Sequence, residues 1–174
     1  FELEIGSGKG TFLVQQAVLQ PETNFLGIEW AAEFFRYAAD RIRRREMSNV
    51  RLLLDDATEF VRFRIPDGIC SVVHLYFSDP WPKKRHHKRR VIQNESLQEF
   101  HRILGPKGEL RLVTDHLELW DWYEDHVSRH AALFDRQKFV APESAGEGEF
   151  VGSNFERKFT IEGRGFHAMT LKKR

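Results

Sequence analysis

Sulfur is scarce: the 174-residue chain has one cysteine, Cys70, and two methionines. A lone cysteine closes no internal disulfide and has no CxxC partner, which excludes a disulfide framework. Its neighbours Ile69, Val72 and Val73 are apolar, so a buried core thiol is expected. Long hydrophobic runs are missing as well. No segment approaches the roughly 18 consecutive apolar residues of a membrane span, and no signal peptide is visible; a cytoplasmic protein with no membrane partner is expected. Nor does one sign of charge dominate. With 27 Lys+Arg against 26 Asp+Glu the net charge is +1, so any footprint for nucleic acid must come from local clustering. There are eight histidines, but His86 and His87 are adjacent and no Cys/His ligand spacing appears, so no metal is expected.

At 20.5 kDa, 41% hydrophobic and 30% charged, the chain reads as a single domain over residues 1–174 with enough material for a real core. It opens at Phe1 on an apolar strand without an initiator Met, which suggests a longer polypeptide with an N-terminal segment ahead. Strands are expected at Phe1 to Ile5, Phe25 to Glu29, Val50 to Leu54, Ile69 to Phe77 and Glu109 to Thr114. Helical patterns fall between and after them, at Thr11 to Leu19, Ala32 to Arg45, Glu95 to Leu104 (stopped by Gly105-Pro106) and Leu117 to Arg129. This alternation predicts an α/β fold: a doubly wound, mostly parallel sheet with helices on both faces. A loop spans Ala141 to Gly148. Phe150 to Phe159 and Phe166 to Lys172 then read as an antiparallel closing strand pair around Glu162-Gly163-Arg164-Gly165.

The first strand runs into Glu4-Ile5-Gly6-Ser7-Gly8-Lys9-Gly10. Glycines serve where backbone takes positive φ or approaches a ligand closely. A dinucleotide turn wants GxGxxG, but the third glycine arrives one residue early and Thr11 holds its place. A phosphate loop wants GxxxxGK[ST], but Leu3 stands at its first glycine and Glu4 would repel the phosphates. An acid-x-Gly-x-Gly-x-Gly turn suits S-adenosylmethionine, whose α-amino group and sulfonium are both cationic. A tight turn without a ligand is the fourth option. Glu29 closes the second strand, where an acceptor for ribose hydroxyls is expected. Asp56 follows the third, placed to accept from an adenine amino group or simply to cap the next helix.

After the fourth strand comes Ser78-Asp79-Pro80-Trp81-Pro82-Lys83-Lys84-Arg85-His86-His87-Lys88-Arg89-Arg90, with six Lys/Arg in the eight residues from Lys83 to Arg90. Such density beside a sheet's ligand-binding edge points to polyanion contact with strong salt dependence; a solvated loop is the plainer alternative. The segment resembles the [D/N/S]PP[Y/F/W] loop of amino-group methyltransferases, with Asp79 in place of the first proline. It is more similar to the PDPW-KKRHHKRR segment of the bacterial-type tRNA (guanine-N7-)-methyltransferases. That resemblance extends over nearly the whole chain, through Glu4 to Gly10, Gly27 to Glu29, Asp56-Ala57, Thr114-Asp115 and Ser153-Asn154-Phe155-Glu156. Ser78 departs from the family's proline, and Ser153 from its threonine.

The resemblance implies a Rossmann-like class I S-adenosylmethionine-dependent methyltransferase that forms 7-methylguanosine in tRNA, at the variable-loop guanine. It further implies that Glu4, Gly6, Gly8, Glu29, Asp56 and Asp79 bind the methyl donor, with Asp79 also at the catalytic centre. Lys83 and Asp115 would contact the substrate, and Ser153, Asn154, Phe155 and Glu156 would line the guanine pocket. Arg85, His86, His87, Lys88, Arg89 and Arg90 would hold the tRNA backbone. A monomer and a homodimer both fit the sequence. Rival functions are methylation of an amino nitrogen in another nucleic acid, and RNA binding without turnover. Trp81 reads equally as a base-stacking ring or as an anchor beneath its loop; Trp120, Trp122 and Tyr123 read as core residues on a helix face, and Arg41 to Arg45 as a solvated face or an addition to the RNA surface.

Overall fold

Residues 1–174 are described by a computed structural model. The expected alternation is present: β1 (Glu2–Ile5), α1 (Thr11–Leu19), β2 (Phe25–Glu29), α2 (Ala32–Arg44), β3 (Val50–Leu54), α3 (Ala57–Arg64), β4 (Cys70–Tyr76), α4 (Asn94–Ile103), β5 (Leu104–Thr114), α5 (Leu117–Arg129), β6 (Phe134–Gln137), α6 (Asn154–Ile161) and β7 (His167–Lys173). A short 3-10 helix, Lys84–Arg89, lies between β4 and α4. The seven strands form one sheet in the order β3-β2-β1-β4-β5-β7-β6. β1 to β5 run parallel, whereas β7 is antiparallel to both β5 and β6.

Side chains alternate across the sheet, and each face has its own core. Val73 and Leu75 of β4 and Leu110 and Leu112 of β5 meet Val61 of α3, Leu97 and Phe100 of α4, and Leu119 and Tyr123 of α5. On the other face Leu13 and Ala17 of α1 pack on Phe25 and Val50, with Ile42 and Met47 closing the layer. Cys70 belongs to the larger core, and burial pushes its thiol pKa up to about 12, so it is inert at physiological pH. His74 of β4 is wholly buried but satisfied: its ring nitrogens meet Glu2 Oε2 at 2.8 Å and Tyr76 Oη at 2.7 Å.

The tail departs from the sequence expectation. Phe150 to Phe159 was expected as a strand, but residues 154–161 form α6, and β7 pairs with β6, which precedes the 141–148 loop. The reason is local. Ser153 Oγ accepts from Glu156 N at 3.1 Å, an N-cap that starts a helix. S-x-x-E before an apolar run is a readable helix-start signal, but the β-favouring Phe, Thr and Ile around it masked it. Gly105-Pro106 ends α4, as expected, yet does not interrupt β5, which begins at Leu104 and runs through both residues. With the order reversing between β1 and β4, the crevice of an open parallel sheet opens at the carboxyl ends of those two strands.

Candidate active site

A cleft of about 1210 Å³ occupies that crevice. The carboxyl ends of the first four strands contribute to its lining: Ile5 and Gly6, Glu29 and Trp30, Leu54 to Asp56, and Phe77 to Asp79. Gly8, Phe155, Trp81, Lys88 and Arg89 also face it.

The glycine turn is shaped by its neighbours. Gly10 stands just before α1 with φ 66°, and a Cβ there would lie 2.9 Å from Ala38 Cβ on α2. Gly8 has φ 52°, and a Cβ on it would meet Phe155 at 3.3 Å. Both positions therefore require glycine. Glu29, nearly buried at the end of β2, accepts from Gly8 N at 2.7 Å and from Ala31 N at 2.8 Å, tying the second strand to the turn. Each carboxylate oxygen has a second acceptor site, so Glu29 can still receive ligand hydroxyls.

Glu4 lies just beneath the cleft-lining Ile5 and Gly6. It is buried, and its Oε2 has no hydrogen-bond partner; Ser7 Oγ in the same turn is likewise buried and unpartnered. Burial outweighs the opposing effect of the nearby Ser7 hydroxyl and, with the like charge of Glu29 added, raises the Glu4 pKa to about 8. A buried carboxyl with an orphaned oxygen is costly unless something cationic or hydrogen-bonding meets it. The ammonium group of S-adenosylmethionine is such a partner, so these residues fit the methyl donor. Asp56 Oδ1 caps α3, accepting from Thr58 N at 2.9 Å and Glu59 N at 3.2 Å. The capping role is therefore real, and Asp56 still faces the cleft.

Asp79 is exposed and makes no hydrogen bond or ion pair within the chain, leaving its carboxylate to a ligand. Its loop is bracketed by strain: Phe77 and Trp81 have φ of 54° and 43°, which bulky residues rarely adopt. Two contacts hold it. Ser78 Oγ meets Tyr123 Oη at 2.8 Å, a bond the family's usual proline could not make. Arg90, only 2% exposed, donates from Nε to Pro80 O at 2.9 Å and from Nη2 to Glu118 at 2.7 Å, with its guanidinium 4.9 Å from the Trp122 ring centroid. Trp81 bears the Arg89 guanidinium at 4.9 Å and meets His86 edge-on at 5.8 Å.

These contacts correct part of the sequence reading. Arg90 was expected on the tRNA backbone; it points inward because Pro80 O and Glu118 claim its guanidinium. His87 also turns inward, against Trp122 at 5.3 Å, whereas Lys83, Lys84, Arg85, Lys88 and Arg89 are exposed. Glu156 was expected at the substrate base, but it is 2% exposed and both its oxygens are engaged. They accept from Phe150 N, from Val151 N at 2.9 Å and from Gly152 N at 2.8 Å. Ser153 is spent on the N-cap, and of residues 153–156 only Phe155 reaches the cleft. Asp115 is held by Arg164 at 2.5 Å and lies outside the cleft lining, as do Lys83, Arg85, His86, His87 and Asn154. A role for Arg164 was missed, since an isolated Gly-Arg-Gly turn carries no signal for its partner. Tyr123 is fully buried and Trp120 and Trp122 partly so.

A sheet of this order, with a glycine turn after β1, an orphaned acid beneath it and further carboxylates at successive strand ends, defines a Rossmann-like methyltransferase that uses S-adenosylmethionine. A solved S-adenosylmethionine-dependent methyltransferase from Aquifex aeolicus has the same fold, with TM-score 0.62 at 14% identity over 99% of this chain and 80% of that one. A family model described as a putative methyltransferase matches residues 1–169. The tRNA (guanine-N(7)-)-methyltransferase of Agrobacterium fabrum is 34% identical over 99% of this chain and 74% of its own length. That of Streptococcus mutans is 32% identical over 93% and 76%. The chain belongs to the tRNA (guanine-N7-)-methyltransferase family.

Proposed function

We propose that the protein methylates N7 of a guanine in tRNA, at the variable-loop position the family implies, forming 7-methylguanosine. The observation that carries this reading is one cleft with a cation-seeking acid beneath its glycine turn at one end, and an unpaired aspartate beside an exposed basic helix at the other. Bound S-adenosylmethionine would supply an electrophilic sulfonium methyl group. Glu4 would hold its ammonium group, Glu29 its ribose hydroxyls and Asp56 its adenine amino group.

Guanine N7 presents a lone pair and carries no proton, so the protein needs no general base. Its task is alignment and charge stabilisation. Asp79 accepts from guanine N1–H and the N2 amino group, which fixes the base and stabilises the positive charge that develops on it. Adenine offers a lone pair at N1 where guanine offers N–H, so the same carboxylate repels it. Glu156 takes no part in this contact, because the 150–152 backbone occupies its oxygens. Arg85, Lys88 and Arg89 provide the phosphate contacts. With tRNA as substrate, the cytoplasm is the working compartment.

The test is incubation of unmodified tRNA with labelled donor, followed by digestion to nucleosides and mapping of the product. 7-Methylguanosine in the variable loop is expected. A methylated amino nitrogen, or tRNA binding without transfer, would overturn the proposal.

A further inference from the structure

A second hollow, of about 560 Å³, opens at the same carboxyl edge of the sheet. Its origin is a mismatch in strand length. β7 pairs with β5 from His167 to Lys172 but with β6 only from Thr170 onward, so His167–Met169 has a neighbouring strand on one side alone. The chain leaves the sheet after Gln137, and the gap is walled by Trp120, Phe139, Phe150 and Phe166. The volume lies within the range of about 300–1,000 Å³ common for small-ligand sites.

The lip of the hollow carries basic side chains. Arg136, Lys138 and His167 line it, and no carboxylate is among its nine lining residues. Arg136 pairs with Glu124 just outside and lies 5.8 Å from the Trp120 ring centroid; Trp120 in turn stacks on His167 at 5.4 Å. Lys138 is exposed and forms no salt bridge. The hollow also adjoins the cleft. Phe166 packs edge-on against Phe77 at 5.6 Å, and Phe77 lines the cleft two residues before Asp79.

Aromatic walls with the unpaired Lys138 at the lip suit a nucleotide, because rings take bases by stacking and a cation takes the phosphate. We propose that this hollow binds an unpaired nucleotide flanking the target guanine, as a second RNA subsite. This assignment rests on the tRNA reading above. The wall shared with the cleft favours RNA over an acidic protein segment, since RNA seated at Asp79 already lies beside it.

Lys138→Glu and Arg136→Gln test the assignment at exposed side chains. Together they should raise KM for tRNA about tenfold and flatten the slope of log affinity against log salt by about one, with kcat and KM for the donor unchanged. A tRNA carrying 4-thiouridine next to the target guanine should crosslink to peptides containing Phe139 or Phe166. Unchanged KM and slope, with crosslinks confined to residues 83–90, would overturn the subsite while leaving the activity standing; that is also the result if the hollow serves a protein. If the unsubstituted enzyme neither binds nor methylates tRNA, the underlying function fails and the subsite with it.

Discussion

Arg90→Ala separates loop positioning from RNA binding. The substitution removes a charge-assisted bond to Pro80 O, worth about 1.5–3 kcal/mol, and a cation–π contact with Trp122, worth about 1 kcal/mol. Glu118 is open to water, so its lost partner adds nothing to that sum. A loss of about 3 kcal/mol in a domain of this size corresponds to a fall in Tm of about 6–12 °C. The strained backbone at Phe77 and Trp81 then relaxes, and Asp79 leaves its place at the cleft. Misplacement by an ångström costs on the order of 100-fold in rate, so kcat should drop on that scale while KM for the donor holds. Arg90→Lys should rescue only partly, since one ammonium group cannot reproduce the guanidinium fork that reaches both Pro80 O and Glu118. The assay pairs thermal denaturation with tRNA binding across a salt series. Arg90→Ala should keep the wild-type salt slope, whereas Arg89→Ala should reduce it by about one. A wild-type Tm with a flattened slope in Arg90→Ala would refute the reasoning and put Arg90 on the RNA.

Other outcomes follow from the same geometry. Glu4, with its pKa at about 8, is mostly protonated at pH 7, so donor binding should release a proton; calorimetry in buffers of different ionisation enthalpy should detect the release in wild type and lose it in Glu4→Gln. The pKa of Glu4 is raised by folding, so its contribution to stability is fully present below the unfolded value of 4.5 and is lost as pH rises through 8; denaturant midpoints for Glu4→Gln should lack that decline. Asp79→Asn should bind donor normally yet transfer methyl groups about 100-fold or more slowly, and wild-type turnover would remove Asp79 from the centre. Glu156→Gln puts an amide where three backbone N–H groups converge and should cost about 2–4 kcal/mol by chemical denaturation. Preference for guanine over adenine should survive in its residual activity.

Local sequence pattern is enough to specify the parallel α/β core. Hydrophobic periodicity is a local property, and β2, β3 and α1 fall at the residues it marks. It also determined the chemistry of the site, because a glycine turn with an acid before it and a basic run after a proline loop are contiguous signals. What each charged side chain does there follows from the partners it meets in the folded chain. Arg89 and Arg90 are neighbours in the chain, yet one is exposed beside Trp81 and the other is buried on Pro80 O and Glu118. Likewise Glu156 is claimed by the backbone of residues 150–152, and Asp115 by Arg164 across 49 residues. Sequence pattern reports which groups a segment carries; which partner satisfies a buried charge depends on where distant segments place their carbonyls, amides and counter-charges.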